Sequence, residues 1–166
     1  MVFIQAGMPS RTRLETYRDV DRRTGELVEE INRKYGNGSW APVVSLRRQL
    51  TPLTMNALRR LADFCIVSSL HDGMNLVAKE YVAARVDGDG VLILSRFAGA
   101  AAELKDALLI NPYGTGRFAG TIKEAIEMPE GERRRRMEAM RAVVAASNIY
   151  RWGADMVDRL IAVAGA

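Results

Sequence analysis

Phe64-Cys65-Ile66-Val67 and Val91-Leu92-Ile93-Leu94 are apolar at every position, with no alternation between apolar and polar residues. A strand with one face in water alternates, so a strand apolar throughout has to be covered on both faces. Runs of this kind build parallel sheets, and parallel neighbours need a crossover of about a dozen residues or more, usually a helix. Helical spacing separates the runs here. Leu14, Tyr17, Val20, Leu27, Val28 and Ile31 mark one helix, and Leu53, Ala57, Leu58 and Leu61 a second. A third extends from about Asn75 to Arg85. Val2 to Ala6 and Ala107 to Ile110 are further short apolar runs, and Trp40 to Leu46 has the β-branched content of a strand. Alternating strand and helix predict an α/β chain, a single Rossmann-like doubly wound parallel sheet. Helical patterns over Thr115 to Glu127, Glu130 to Ala145 and Ile149 to Ala164 finish it.

The punctuation agrees with this reading. Gly36 and Gly38 stop the first helix, and Thr51-Pro52 starts the second with a capping hydroxyl and proline at the first helical position. Asp87-Gly88-Asp89-Gly90 is a turn, Ser95 to Ala101 is a loop of small residues leading into a short helix, and Asn111-Pro112 closes the last strand. The 166 residues are 48% hydrophobic, enough to bury a core without staples, and no repeat or linker divides them, so one domain over 1–166 is expected.

Charge and cysteine content exclude several classes of function. A net charge of +4, from 24 basic and 20 acidic residues, suits phosphorylated ligands but lacks the clustered basic face of a nucleic-acid binder. Arg133-Arg134-Arg135-Arg136 is the one dense cluster, and Glu130, Glu132 and Glu138 beside it favour a solvated helix face. One cysteine, Cys65, and one histidine, His71, rule out a disulfide framework and a structural zinc site, which fits a cytoplasmic setting. No apolar run has membrane-spanning length, and neither a membrane nor a nucleic acid is expected as partner. Neither GxGxxG nor GxxxxGK[ST] is present, against nicotinamide dinucleotides and P-loop chemistry. Met128, Met137 and Met140 read as core filler, and Trp40 and Trp152 are expected to pack.

Ser68 to Glu80 is the stretch where chemistry would reside. It reads as the end of a strand, a polar turn and the first turns of a helix, at the carboxyl edge where open α/β sheets bind ligands. A helix starting near Asn75 aims free N–H groups and partial positive charge at that turn, a seat for phosphate. Glu80 lies one turn inside, and its side chain leans back toward the helix start. An anionic ligand with hydroxyl groups, such as a nucleotide sugar, would use both features; an ordinary connection with solvated Asp72 and Glu80 is the other reading. His71 beside Asp72 lacks a local partner for general-acid work. Arg11, just past the first strand, could grip a phosphate with its fork or stand free, and Asn111-Pro112-Tyr113 is another carboxyl-edge loop.

Asp72-Gly73-Met74-Asn75-Leu76-Val77-Ala78-Lys79-Glu80-Tyr81-Val82-Ala83 resembles the hallmark of trehalose-6-phosphate synthases, glycosyltransferase family 20. The likeness continues through Pro9-Ser10-Arg11, Gly90 to Ser95, Phe97-Ala98-Gly99-Ala100-Ala101, Leu109 to Tyr113 and Tyr150-Arg151-Trp152. It implies the C-terminal, donor-binding half of a GT-B glycosyltransferase that moves glucose, with retention, from UDP-glucose or another nucleotide donor to glucose-6-phosphate. By the family pattern Asp72, Gly73, Met74 and Asn75 face the glucosyl hydroxyls, and the amides of Leu76 and Val77 meet the diphosphate. Ala78 and Lys79 continue the donor-binding stretch and Glu80 holds the ribose. Leu50 lies against the base through its backbone, and Arg11 takes the acceptor phosphate, with Asp72 and Arg11 positioning substrate. The resemblance implies no metal cofactor and no protein nucleophile from this chain.

The departures from the pattern bear on activity. His71 replaces the commoner arginine, and Ser68-Ser69 stands for Thr-Pro. The family's acceptor domain would precede Met1, so an N-terminal partner in cis or in trans is expected, and the chain alone is expected to be inactive. Homo-oligomer formation stays open. So do a glucosylglycerol-phosphate synthase or pseudo-glycosyltransferase relative and a non-catalytic sugar-nucleotide-binding or interaction subunit.

Overall fold

The computed structural model describes residues 1–7, 14–147 and 149–164. They fall into two compact units, Met1–Met55 and Asn56–Ala166. In the first unit β1 (Phe3–Ala6) pairs in parallel with β2 (Val43–Leu46), Phe3 opposite Val43 and Ala6 opposite Leu46. The crossover is α1 (Glu15–Tyr35), stopped at Gly36 as its glycine signal predicts. Asn32, near the end of α1, brackets the first residue of β2: its Nδ2 donates to the Val43 carbonyl at 2.9 Å, and its Oδ1 accepts the Val43 N–H at 3.0 Å. A helix side chain thereby supplies what a neighbouring strand would otherwise supply.

α2 (Pro52–Leu61) begins as expected, with the Thr51 hydroxyl accepting the Thr54 N–H at 3.2 Å. The second unit contains β3 (Phe64–Val67), α3 (Leu76–Ala84), β4 (Val91–Ser95), a 3-10 turn at Gly99–Ala102 and β5 (Leu108–Ile110). α4 (Thr115–Glu127), α5 (Glu130–Ala146) and α6 (Ile149–Ala164) follow. The strands are parallel in the order β3-β4-β5. Within the first unit the ladder is β1-β2, and within the second it is β3-β4-β5. Apolar runs specify strands; which strands share a ladder depends on register, which the runs do not encode.

β4 shows why its sequence does not alternate. Leu92 and Leu94 pack with Val67, Tyr81, Val82, Met137 and Met140 on one face. Val91 and Ile93 pack with Leu108, Ile110, Ala125 and Met128 on the other. Helices α3 and α5 cover the first face and α4 the second, and every residue of β4 is buried. Each such side chain contributes roughly 1.5–3 kcal/mol. Met128, Met137 and Met140 are core, as their helical spacing predicts. The tryptophans are a correction: Trp40 and Trp152 are 39% and 58% exposed, and α6, which carries Trp152, buries no residue. An aromatic ring packs only where its element has a buried face.

Two arginine arrangements hold the edges of this unit. Arg85 is 5% exposed. Its Nη1 donates to the carbonyls of Arg60 and Ala62, both at 2.8 Å, and its Nη2 to Asp87 Oδ2 at 2.8 Å, while Nε reaches the Asp89 carbonyl. The Tyr81 hydroxyl lies 3.1 Å from the carbonyls of both Ala62 and Asp63, and burial pushes its pKa up. Gly90, at φ +123°, passes so near that a Cβ would stand 2.5 Å from that hydroxyl. The basic run is matched by acids throughout. Arg133 pairs with Asp89, Arg134 with Glu130, Arg135 with Glu132 and Asp106, and Arg136 with Glu132. This is the solvated, paired helix face predicted from the flanking glutamates.

The Arg133 fork, at 2.8 and 2.9 Å, lowers the Asp89 carboxyl to about 2. Because the folded value lies below the unfolded one of about 3.9, the pair stabilises the fold fully above that value. The contribution, on the order of 1 kcal/mol after solvent screening, disappears as pH falls from about 4 toward about 2. Chemical unfolding across that window should show a steeper loss of stability in the wild type than in Asp89→Asn, and parallel curves would contradict the pairing.

Candidate functional site

The loop from Ser68 to Asn75 leaves the carboxyl end of β3 and turns into α3. Asn75 makes that turn. It adopts φ +75°, the one positive-φ non-glycine among the described residues, and caps α3 by accepting the Ala78 N–H on Oδ1 at 3.0 Å. Asparagine suits the position because it tolerates the left-handed region and is also among the best helix caps. Its Nδ2 donates to Asp72 Oδ2 at 2.9 Å and to Ser69 Oγ at 3.3 Å. The other oxygen of Asp72 accepts the Met74 N–H at 3.1 Å. The Met74 amide first, then the Asn75 side chain, hold the Asp72 carboxyl below its ordinary range, so it is ionised at neutral pH.

A second loop, after β4, braces the first. The Asp72 N–H donates to the Phe97 carbonyl at 3.2 Å, Gly99 N–H to the Asp72 carbonyl at 2.9 Å, and Ala100 N–H to the Met74 carbonyl at 2.7 Å. Gly99 is required by closeness: a Cβ there would stand 2.1 Å from the Gly73 carbonyl oxygen. Beyond β5, Asn111 closes an Asx turn onto the Tyr113 N–H at 3.0 Å, and the Tyr113 ring meets Phe97 edge-on at 5.9 Å. Three carboxyl-edge loops, after β3, β4 and β5, therefore lie in one connected set.

The floor of this set is the start of α3. Ala78 N–H is taken by the cap, while the N–H groups of Leu76 and Val77 have no acceptor among the described residues, and both residues are exposed. Two open amides at a helix start, beside a fixed carboxylate and a capping amide, make a seat for an anion whose attached polar groups contact the loop. Ala78 is fully buried in the core, so its contribution is packing. Lys79 directs its ammonium to both oxygens of Glu103, at 2.8 and 2.9 Å. Glu80, in the second turn, pairs with Arg59 of α2. His71 is exposed. Leu50 is half-buried in the first unit, just before α2. Arg11 lies outside the described residues, with the rest of 8–13. In the first unit a cavity of about 320 Å³ opens at the carboxyl ends of β1 and β2, lined by Ala6, Gly7, Ser45 and Arg47 among others.

Among the described residues, no group of three or more His, Cys, Asp or Glu side chains is arranged to hold a metal, and no helix is long and apolar enough to cross a membrane. Burial pushes the Cys65 thiol up to about 11, against the opposing charge of Arg59, so it is a poor nucleophile. Sequence reasoning missed Arg59 and the Gly99–Gly73 contact. No local spacing announces the first; the run of small residues Ala98 to Ala102 is the signal for the second.

The sequence and the fold of this chain are both matched by known proteins. The sequence profile of glycosyltransferase family 20 matches residues 1–162. The chain belongs to glycosyltransferase family 20. It is 42% identical over 165 residues to the bifunctional trehalose-6-phosphate synthase/phosphatase of Thermoproteus tenax, covering 99% of this chain and 23% of that protein. Among solved structures it is similar to a trehalose-6-phosphate protein from E. coli bound with UDP-2-fluoro glucose, at TM-score 0.91 and 36% identity, covering 96% of this chain and 36% of that one. It is also similar to an alpha,alpha-trehalose-phosphate synthase (UDP-forming) from Burkholderia xenovorans in complex with glucose-6-phosphate, at TM-score 0.90 and 36% identity, covering 96% and 35%. This family member thus spans about a third or less of the length of these relatives.

The Gly99–Gly73 approach supplies a test of the braced loop. Gly99→Ala should force the two loops apart and lower stability by more than about 2 kcal/mol, read as a drop in the urea midpoint. An unchanged midpoint would show that the loops are not packed this closely.

Proposed function

We propose that this chain is the donor-binding part of a retaining glucosyltransferase that makes trehalose 6-phosphate from UDP-glucose, or another nucleotide glucose, and glucose-6-phosphate. The observation that carries the reading is the start of α3, where the open amides of Leu76 and Val77 lie under the loop fixed by Asp72 and Asn75. A diphosphate seated there is stabilised by the helix end without a bound cation, and its developing charge on departure is met by the same amides. Asp72, ionised and with lone pairs to spare, would accept from a glucosyl hydroxyl. Asn75 uses both amide hydrogens within the loop, so its part is to hold the seat in shape. Glu80 would take the ribose hydroxyls, Leu50 the base through its backbone, and Arg11 the phosphate of the acceptor.

In this reading the acceptor attacks on the face from which the nucleotide leaves, through an oxocarbenium-like state. The departing phosphate takes the acceptor proton. An N-terminal acceptor domain, in cis or in trans, would supply the opposite wall and the remaining charge on the diphosphate, and orientation between the walls lowers much of the barrier. No metal cofactor enters this chemistry, and the setting proposed is a reducing cytoplasm. The names of the relatives favour trehalose 6-phosphate over glucosylglycerol phosphate or a cyclitol product.

Calorimetry on the chain should give weak binding of UDP-glucose. Asp72→Ala should weaken it about tenfold, as expected for loss of a hydrogen bond to a charged group. Trehalose 6-phosphate formation by the isolated chain should be negligible. Absence of nucleotide-sugar binding would overturn the donor reading, and measurable turnover would overturn the need for a second domain.

A further inference from the structure

We infer that Arg59 is a positioning residue for the carboxylate that reads the ribose, an inference that rests on the role proposed above for Glu80. Arg59 stands in the last turn of α2 and Glu80 in the second turn of α3, 21 residues later. The Arg59 Nη2 donates to Glu80 Oε2. The arginine side chain is 19% exposed and the glutamate 48%, so the arginine is the anchored member and the glutamate the one facing out. Among the described residues no donor reaches Glu80 Oε1. One oxygen of the carboxylate is therefore pinned to the fold, and the other is left for a ligand hydroxyl.

This arrangement has two physical consequences. A free glutamate would lose rotamer freedom on gripping a diol, whereas a pinned one has already lost it. An uncompensated carboxylate one turn from the start of α3 would also repel the anion proposed to sit there, and the guanidinium cancels that charge. The Arg59 Nε is buried without a hydrogen-bond partner among the described residues, so the Glu80 pair is the polar contact that orients this guanidinium. A hydrophobic or neutral residue at this position would leave Glu80 both mobile and unbalanced.

The test compares UDP-glucose with 2′-deoxy-UDP-glucose by ligand-observed NMR titration of the full 166-residue chain, for the wild type, Arg59→Gln, Arg59→Lys and Glu80→Gln. The wild type should prefer the ribose donor about tenfold, the scale of one hydrogen bond to a charged group. Arg59→Gln should reduce that preference to about twofold. Arg59→Lys, which keeps the charge without the fork, should recover part of it. A merely structural role would weaken both ligands alike and leave the ratio unchanged. A wild type without preference overturns the ribose role of Glu80. A preference that is lost in Glu80→Gln and kept in Arg59→Gln overturns the role of Arg59 alone. Loss of the folded circular-dichroism spectrum in both Arg59 variants makes the residue structural and also overturns the inference.

Discussion

Asn75 holds the β3 loop to α3 through one side chain with three partners. By entering the left-handed region it ends the β3 loop, and by accepting the Ala78 N–H it starts α3. By donating to Asp72 and Ser69 it ties the loop to the helix it has just begun. Capping consumes one of the orphan N–H groups at the helix start and leaves those of Leu76 and Val77 without an acceptor among the described residues. These open amides thus follow from how the helix begins rather than from any added basic residue. The negative charge of Asp72 is tolerated there because backbone and side-chain N–H groups already serve it.

The scaffold holds this junction from two sides. Below it, β4 is buried on both faces, so the strand ends that carry the loops cannot shift without disturbing two apolar layers. Beside it, three backbone hydrogen bonds exchanged with the loop after β4, and the absence of a side chain at Gly99, bring a second loop into contact with the first. At the opposite end Arg85 gathers carbonyls from the end of α2 and the turn before β4. Rigidity at the amino edge and close packing at the carboxyl edge together pre-organise the site, and this lowers the ordering cost of binding.

Much of this was legible in the residues. The helix boundaries at Gly36, Pro52, Thr115 and Ile149 follow from local punctuation. The core positions of Leu92, Ile93, Met137 and Met140 follow from non-alternating runs and helical spacing. The strand–turn–helix order of Phe64 to Arg85 follows from its pattern, and the structure has β3, a loop and α3 there. Trp40 and Trp152 show the limit of such reading, since large apolar rings report a preference for burial and not whether a buried face exists. The run Arg133 to Arg136 of α5 shows both sides of it. Its pairing with Glu130 and Glu132 follows from local spacing, whereas the partners Asp89 and Asp106, 44 and 29 residues away, come only with the fold.

By itself the sequence determined the alternation of strand and helix, the two-faced burial of the central strand, and the loop that joins β3 to α3. These depend on neighbours within a few residues, where periodicity and cap chemistry act. The tertiary structure alone decided the register of each strand pair, that Gly99 touches Gly73, and that Arg59 holds Glu80. Each of these joins segments distant in the chain, and no local pattern records which of many similar side chains will meet once the helices have packed.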